Sequence, residues 1–457
     1  MPTTIRTRAS RLMLAALLVA AAALMLGVSA AHAAGARLVE DIVPGEDSSD
    51  PLYLEGLRGA VYFEAFTPTG SEGLWRSDGT AAGTRLVREF PFAYWLTRAG
   101  DTLFFLVDHG RGAELWSSDG TESGTTLVRD FRGGFLSSSR DLTSHNGVLF
   151  FTADDRVHGF ELWKSDGTRA GTRLVRDVNP GTASSQPRWA TSVGDTLFFT
   201  ARDGEHGREL WRSDGTQGGT RLVRDILTRT DASPGWLTNV GGRLFFASAG
   251  GGHGRELWRS NGTADGTRLV KDINPRKGSR PRSLTRVGPR LFLTARDGEH
   301  GQELWRSDGT ASGTRLVRDI LHGGRQGAGY FGPDMLTDIG RTLFFGADDV
   351  VHGEGLWGSD GTGAGTKFLK GLRLRWPGVN IGGIGYFAAT EALPYHDRAY
   401  GYELWATDGT RAGTKLVRDI YPGQENSMPA SLTAAGGKLF FSASDGVHGI
   451  ELWKATP

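Results

Sequence analysis

The sequence contains no cysteine, which excludes disulfides, thiolate metal sites, cysteine nucleophiles and a lipidated cysteine. It also lacks a charge of one sign, because 52 basic and 51 acidic residues leave a formal charge of +1. Such a chain has no overall field to attract nucleic acid or an anionic membrane. G-x-S-x-G, H-E-x-x-H and P-loop motifs are absent as well. We therefore expect no cofactor, no metal and no nucleic-acid partner, and stability that comes from packing alone.

Long apolar runs are missing except at the N-terminus. Arg6, Arg8 and Arg11 precede the apolar residues 12–28, and "AHA" at Ala31–Ala33 follows them. This order is typical of a secretory signal peptide, although the long apolar run also leaves open an uncleaved anchor. We expect a signal peptide over residues 1–33, no membrane span after its cleavage, and an exported chain in the periplasm, on the cell surface or outside the cell.

What the sequence has in abundance is glycine, 68 residues, and an internal repeat. Leu-Trp recurs nine times, and eight of these dipeptides precede an Asp-Gly-Thr or Asn-Gly-Thr triplet and then a run like "RLVRDI". Repeat spacings of 41 to 52 residues indicate one small structural unit per repeat. The repeated tryptophans are Trp75, Trp116, Trp163, Trp211, Trp258, Trp305, Trp357, Trp405 and Trp453.

One unit, residues 236–273, shows the design. It contains four short strand candidates: A (Leu237–Val240), B (Arg243–Ser248), C (Glu256–Ser260) and D (Thr267–Ile273). The runs "LFF", "LW" and "LV" are apolar at adjacent positions, as in strands buried on both faces. Four-stranded units packed between neighbours predict an all-β fold, a β-propeller.

The two ends of the chain predict how the ring closes. The last unit stops at "ELWKATP" without a strand D, and the mature N-terminus begins with an extra strand D, "ARLVEDI" at Ala36–Ile42. The first strand would complete the last blade and remove the open edges. We therefore expect about nine four-stranded blades in a single domain over residues 34–457, with two packed domains as the alternative.

The repeated "ELW-x-SDGT-x-x-GT-x-LV-x-DI" resembles the bacterial ELWxxDGT-repeat family, also called hyalin-like, over essentially the whole mature chain. The resemblance implies an exported repeat protein and implies no reaction. Gly73 and Gly355 replace the usual Glu in blades 1 and 7. We assign "KFLKGL" to strand D of blade 8, where the pattern is weakest and the register is open around residues 372–400.

The residues shared by all repeats are interpreted as structural. Each Trp is expected in the core, since a buried indole removes about 150–250 Å² from water. Asp308 precedes a turn Gly and can accept the N–H groups of its own turn, while one carboxylate per turn is too few for calcium. Arg318 and Asp319 should pair with adjacent blades or face solvent. A His before strand C, as in His300, is expected to be a hydrogen-bonding turn residue.

Strand direction places the B–C and D–A connections on one face, the variable-loop face, where the repeats differ most. The residue entering strand A is aromatic in blades 1, 2, 4 and 5: Tyr53, Trp95, Trp189 and Trp236. These four could bind a ligand, or they could fill the space between blades. The blade 3 equivalent is Asp141.

Basic residues cluster in two D–A connections of the same face. Their positions are Arg276, Lys277, Arg280 and Arg282 before blade 6, and Arg373 and Arg375 before blade 8. They could form a patch for an anionic partner, although solvated loop charge is the simpler explanation.

Three functions follow as hypotheses. The first is a monomeric exported scaffold that binds a protein or glycan partner through the variable-loop face and performs no catalysis. The second is an extracellular propeller hydrolase or lyase acting on polysaccharide, and the third is a structural surface-layer component.

Overall fold

The computed structural model describes residues 34–108, 112–131, 142–228, 230–321, 332–393 and 399–457. The expected signal peptide and Asp141 lie outside these ranges. Within them, no helix is long and apolar enough to cross a membrane.

The chain forms a nine-bladed β-propeller, as the repeats predicted. Each sheet is antiparallel, and in blades 1 to 7 its strands follow chain order from A to D. Blades 1 to 3 are built from β2 (Leu52–Leu57), β3 (Ala60–Phe66), β4 (Glu72–Ser77) and β5 (Arg85–Phe90); β6 (Ala93–Ala99), β7 (Thr102–Asp108), β8 (Ala113–Ser118) and β9 (Thr126–Phe131); β10 (Thr143–His145), β11 (Val148–Asp154), β12 (Phe160–Ser165) and β13 (Arg173–Arg176).

The middle blades repeat this plan with shorter outer strands. Blades 4 to 6 contain β14 (Arg188–Val193), β15 (Thr196–Arg202), β16 (Arg208–Ser213) and β17 (Arg221–Arg224); β18 (Gly235–Val240), β19 (Arg243–Ala249), β20 (Arg255–Ser260) and β21 (Arg268–Lys271); β22 (Arg282–Val287), β23 (Arg290–Ala295), β24 (Glu303–Ser307) and β25 (Arg315–Arg318).

The last blades include the irregular one. Blades 7 to 9 contain β26 (Asp334–Ile339), β27 (Thr342–Asp349), β28 (Gly353–Ser359) and β29 (Lys367–Lys370); β30 (Leu372–Leu374), β31 (Val379–Ile381), β32 (Ile384–Glu391), β33 (Glu403–Thr407) and β34 (Lys415–Arg418); β35 (Ala430–Ala435), β36 (Lys438–Ser444), β37 (Ile450–Thr456) and β1 (Ala34–Glu40).

Blade 8 differs from the plan, and it corrects one assignment. Its first strand is interrupted, so that β30 and β31 both pair with β32. The "KFLKGL" segment is not strand D of blade 8, because β29 pairs with β28 and so completes blade 7. The weak repeat pattern in this region hid the boundary between the two blades.

The ring closes where the terminal fragments predicted. Strand β1 lies antiparallel to β37, with Leu38 opposite Trp453, and gives the sheet order β1-β37-β36-β35. The two-domain alternative is wrong, because nine clusters of buried side chains lie at the nine interfaces between consecutive blades. The interface of blades 9 and 1 includes Val39 and Ile42 from the N-terminal segment.

Neighbouring blades are joined by the repeated Trp and Arg residues. Seven of the nine repeated tryptophans are buried, while Trp75 and Trp116 are partly buried. Arg318 of blade 6 lies 5.6 Å from the ring centre of Trp357 in blade 7 and donates from Nη1 to the Thr366 carbonyl at 2.6 Å. Arg129 makes the equivalent contacts with blade 3. The second Arg of "RLVRD" therefore clamps successive blades together.

The C–D turn is a closed hydrogen-bond cluster. Asp308 Oδ1 accepts from the Thr310 N–H at 2.8 Å and from its hydroxyl at 2.7 Å, and the Ser307 and Thr314 hydroxyls lie 2.7 Å apart. A Cβ on Gly313 would overlap the Asp308 carboxylate, which explains the glycine of the second "GT". These bonds hold the pKa of Asp308 below its usual value. The "SDGT" motif is structural, as expected.

The recurring histidine is also a turn residue. His300 Nδ1 lies 2.7 Å from Asp297 Oδ2, and the same Asp accepts the His300 backbone N–H at 2.8 Å. The side-chain bond raises the pKa of His300. No group of three or more His, Asp or Glu side chains within the described ranges is arranged to hold a metal ion.

Candidate ligand-binding face

The long D–A loops on the variable-loop face are fixed by the Glu of "ELW". Glu161 is fully buried and accepts four bonds: from Val178 N at 3.1 Å, Asn179 N at 3.3 Å, Ser185 N at 2.9 Å and Ser185 Oγ at 2.6 Å. Burial raises the pKa of Glu161 to about 7, and the four donors act against that rise. The equivalent cradles are centred on Glu209, Glu256, Glu303, Glu403 and Glu451. The Glu of the motif thus positions the loops from which a site could be built.

Strand A begins with a bulge in which one residue has a positive φ, in blades 1, 2, 4, 5, 6, 7 and 9. Tyr53, Trp95, Trp189 and Trp236 all have positive φ, between 51° and 63°. Non-aromatic residues do the same at this position: Ser283, Met335 and Ser431. The conformation therefore belongs to the blade and not to the aromatic side chains, although it is strained for large residues.

The four candidate aromatics lie in two regions of the ring. Tyr53 and Trp95 enter strand A of the neighbouring blades 1 and 2, and the ring centres of Trp189 and Trp236 lie 5.5 Å apart between blades 4 and 5. Each is partly buried and packs against an inter-blade cluster. They contribute to inter-blade packing, and Tyr53 and Trp236 each also line a cavity.

The six candidate basic residues do not form one patch. Arg373 pairs with Glu354 at 2.7 Å, and Arg375 lies over the rings of Trp376 and Tyr402. Arg276 and Lys277 are exposed on their loop. Only Arg280 and Arg282 are brought together at a cavity.

That cavity, the arginine pocket, lies between blades 5 and 6. It has a volume of about 240 Å³ and is lined by Trp236, Arg255, Arg280, Pro281 and Arg282. Arg255 donates from Nη1 to the Ser233 carbonyl at 2.7 Å, so its guanidinium is held in place. Burial and the nearby Arg282 lower the pKa of Arg255. Within the described part of the chain, none of the three arginines forms an ion pair with a carboxylate.

The residue just before the Glu of "ELW", or before the Gly that replaces it, varies in charge around the ring. It is acidic in blades 1 and 7, basic in blades 4 and 5, and uncharged in the others. The nine residues are Glu72, Ala113, Phe160, Arg208, Arg255, Gln302, Glu354, Tyr402 and Ile450. The variable-loop face therefore has acidic and basic sectors, although the net charge is close to zero.

A second cavity, the acidic pocket, lies between blades 1 and 2, four blades from the arginine pocket. It also measures about 240 Å³, and its lining includes Tyr53, Glu64, Glu72 and Tyr94. Sequence reasoning missed Glu64 and Arg255, because both lie in strands and not in variable loops. The signal was present for Glu64, because the other eight blades have an uncharged side chain at its position.

No protein-family profile matches the chain, and no curated protein does. The fold is similar to solved propellers. A prolyl endopeptidase gives a TM-score of 0.43 at 10% identity over 76% of this chain and 55% of its own. Puromycin hydrolase gives 0.36 at 14% over 77% and 60%, and the propeller domain of the Trilobed protease from Pyrococcus furiosus gives 0.39 at 11% over 82% and 99%. The chain thus spans less than two thirds of the first two, and likeness at this level concerns the fold alone.

One functional hypothesis is corrected at this point. A binding scaffold for protein or glycan without catalysis was expected from the invariant blades. It is wrong as a deduction from the fold, because the structural neighbours include propeller-bearing peptidases and catalysis is not excluded.

Proposed function

We propose that the arginine pocket binds a small organic anion, such as a carboxylate or phosphate beside a planar group. The observation that carries the proposal is three arginines around one cavity without a carboxylate partner among the described residues. Burial with Arg280 and Arg282 nearby also lowers the pKa of Arg296, next to the pocket. An anion would relieve this repulsion through charge-assisted hydrogen bonds, and the face of Trp236 would contact a planar group.

Phenyl phosphate is a suitable probe, titrated by calorimetry against benzyl alcohol as the neutral comparison. Arg255→Gln and Arg282→Ala place residues that Gln302 and Ala430 already provide at the same positions in other blades. Each substitution should lower the affinity for phenyl phosphate at least about tenfold, since a hydrogen bond to a charged group contributes about 1.5–3 kcal/mol.

Arg276→Gln is the matched control, because Arg276 is an exposed arginine on the same loop. It should bind phenyl phosphate like the unchanged protein, and binding should weaken as salt is raised. Equal losses of affinity in Arg276→Gln and Arg255→Gln would show that net charge alone explains the effect. Undiminished binding in Arg255→Gln would disprove the site.

We also propose that the chain is exported and belongs with the ELWxxDGT-repeat proteins. The basic, apolar and small-residue order of residues 1–33 and the nine repeats support this proposal. N-terminal sequencing of the chain from an expressing bacterium should find Ala34 first. A chain that still begins at Met1 and stays in the cytoplasm would contradict export.

A further inference from the structure

The acidic pocket exists because one D–A connection is short. Strand β5 ends at Phe90 and β6 begins at Ala93, so only Pro91 and Phe92 join blades 1 and 2. The corresponding connection from Arg176 to Arg188 is much longer and is fixed by Glu161. Blade 1 has Gly73 at the position of that Glu. Without a long loop to fix, the cradle is absent, and Phe92 is 61% exposed at the edge of the pocket.

Glu64 is a carboxylate at a position where the other blades have none. It lies in β3 opposite Leu74, the Leu of Leu-Trp. The residues opposite that Leu in blades 2 to 9 are Leu106, Thr152, Thr200, Ala247, Thr294, Gly346, Ala388 and Ser442. Blade architecture therefore does not require Glu64.

The Glu64 carboxyl is buried and incompletely bonded. The side chain is 4% exposed, and Oε1 has no hydrogen-bond partner among the described residues. Burial raises the pKa of Glu64 well above its usual value, nearby Glu72 raises it further, and only a bond from the Leu96 N–H acts in the other direction. A buried acceptor without a partner destabilises the fold, so such a group points to a ligand that completes it.

The surroundings of Glu64 are acidic and aromatic. Glu72 accepts the Ala93 N–H at 2.9 Å and so keeps its carboxylate at the cavity. Asp50, Tyr53 and Tyr94 also line the cavity, and burial raises the pKa of each, that of Tyr94 to about 12. No cation is among the groups that shift the pKa of Glu64 in the described part of the chain.

We propose that the acidic pocket binds a small organic primary ammonium ion. Glu64 Oε1 and the Glu72 carboxylate accept its N–H groups, and Tyr53, Tyr94 and Phe92 contact its charge and its apolar body. A primary amine fits better than a quaternary one, because the unpartnered oxygen requires a hydrogen-bond donor. A metal ion fits less well, since no three acidic or His side chains within the described ranges are arranged as ligands.

Benzylamine and benzyltrimethylammonium are the probes, titrated into the full mature chain by calorimetry. Benzylamine should bind, and the quaternary ion should bind at least about tenfold more weakly because it offers no N–H. Glu64→Thr and Glu64→Gln should each lower the affinity for benzylamine at least about tenfold. Thr is the residue that blades 3, 4 and 6 have at this position. Glu46→Gln removes one exposed charge nearby in the sequence and is the control, with binding unchanged.

Thermal melting separates loss of the site from loss of the fold. Glu64→Thr should melt at or above the temperature of the unchanged protein, because it removes a buried acceptor and introduces a residue that the blade already tolerates. Benzylamine binding should also strengthen as the pH rises, because Glu64 then loses its proton, with Asp50, Glu72, Tyr53 and Tyr94 facing it.

Three results would overturn the proposal. One is no benzylamine binding at millimolar concentration, the second is full binding in folded Glu64→Thr, and the third is equal affinity for the quaternary ion. Because phenyl phosphate tests a different cavity, the arginine pocket can succeed or fail independently.

Discussion

A chain that begins at residue 43, without β1, should lose cooperative unfolding and aggregate. In the complete ring, β1 covers the edge of β37, and Ala36, Val39 and Ile42 of the N-terminal segment are buried. Burial of Val39 and Ile42 alone contributes about 1.5–3 kcal/mol each. The deletion also removes the Ile42 N–H that donates to Glu451 and leaves an unpaired strand edge, which favours association between chains.

Circular dichroism and tryptophan fluorescence during urea unfolding measure this loss, with the chain from residue 34 as reference. A synthetic peptide of residues 34–42 should restore part of the transition when added to the shortened chain. Val39→Asp should have the same effect in milder form, whereas the exposed Arg37→Ser should not. If the shortened chain unfolds at the reference urea concentration and stays monomeric, closure by β1 contributes nothing to stability.

Glu161→Ala should destabilise the protein by about 3–5 kcal/mol, more than most single substitutions. The change removes the acceptor for four donors, among them both donors of the buried Ser185. The loop from Asp177 to Pro187 should then become accessible to proteases. Urea unfolding and limited proteolysis measure the two effects.

Glu205→Ala is the control for this loss. The Glu205 side chain is exposed in the B–C loop of blade 4, so its replacement should cost about 0.5 kcal/mol or less. Equal costs for the two alanine variants would show that the cradle at Glu161 does not hold its loop.

The ring was predictable because each repeat encodes the same four strands and turns. The nine Leu-Trp dipeptides predicted the number of blades, and the incomplete terminal units "ARLVEDI" and "ELWKATP" predicted how the ring closes. We expected Arg318 to pair with an adjacent blade or to face solvent, and its contacts with Trp357 and Thr366 show the first of these. The structural role of "SDGT" was predictable from the same periodicity, since a motif repeated from blade to blade is expected to stabilise the blade itself.

The candidate sites were less predictable, because they depend on contacts between residues distant in sequence. The pairing of Arg373 with Glu354 requires β30 to lie beside blade 7, which the irregular sequence of that region does not indicate. Arg255 and Arg282 line the same cavity only because blades 5 and 6 pack side by side in the ring. Glu64 could have been found, since the Trp75 to Trp116 spacing of 41 is the shortest and a carboxylate interrupts an otherwise uncharged strand position.

Cross-titration of the two pockets tests most directly whether chemistry lies where the blades differ. Benzylamine and phenyl phosphate are each titrated into the unchanged protein, Glu64→Thr and Arg255→Gln. We expect each variant to lose at least about tenfold in affinity for its own ligand alone, while both retain the melting temperature of the unchanged protein. Undiminished binding of both ligands in both folded variants would contradict this assignment of the sites.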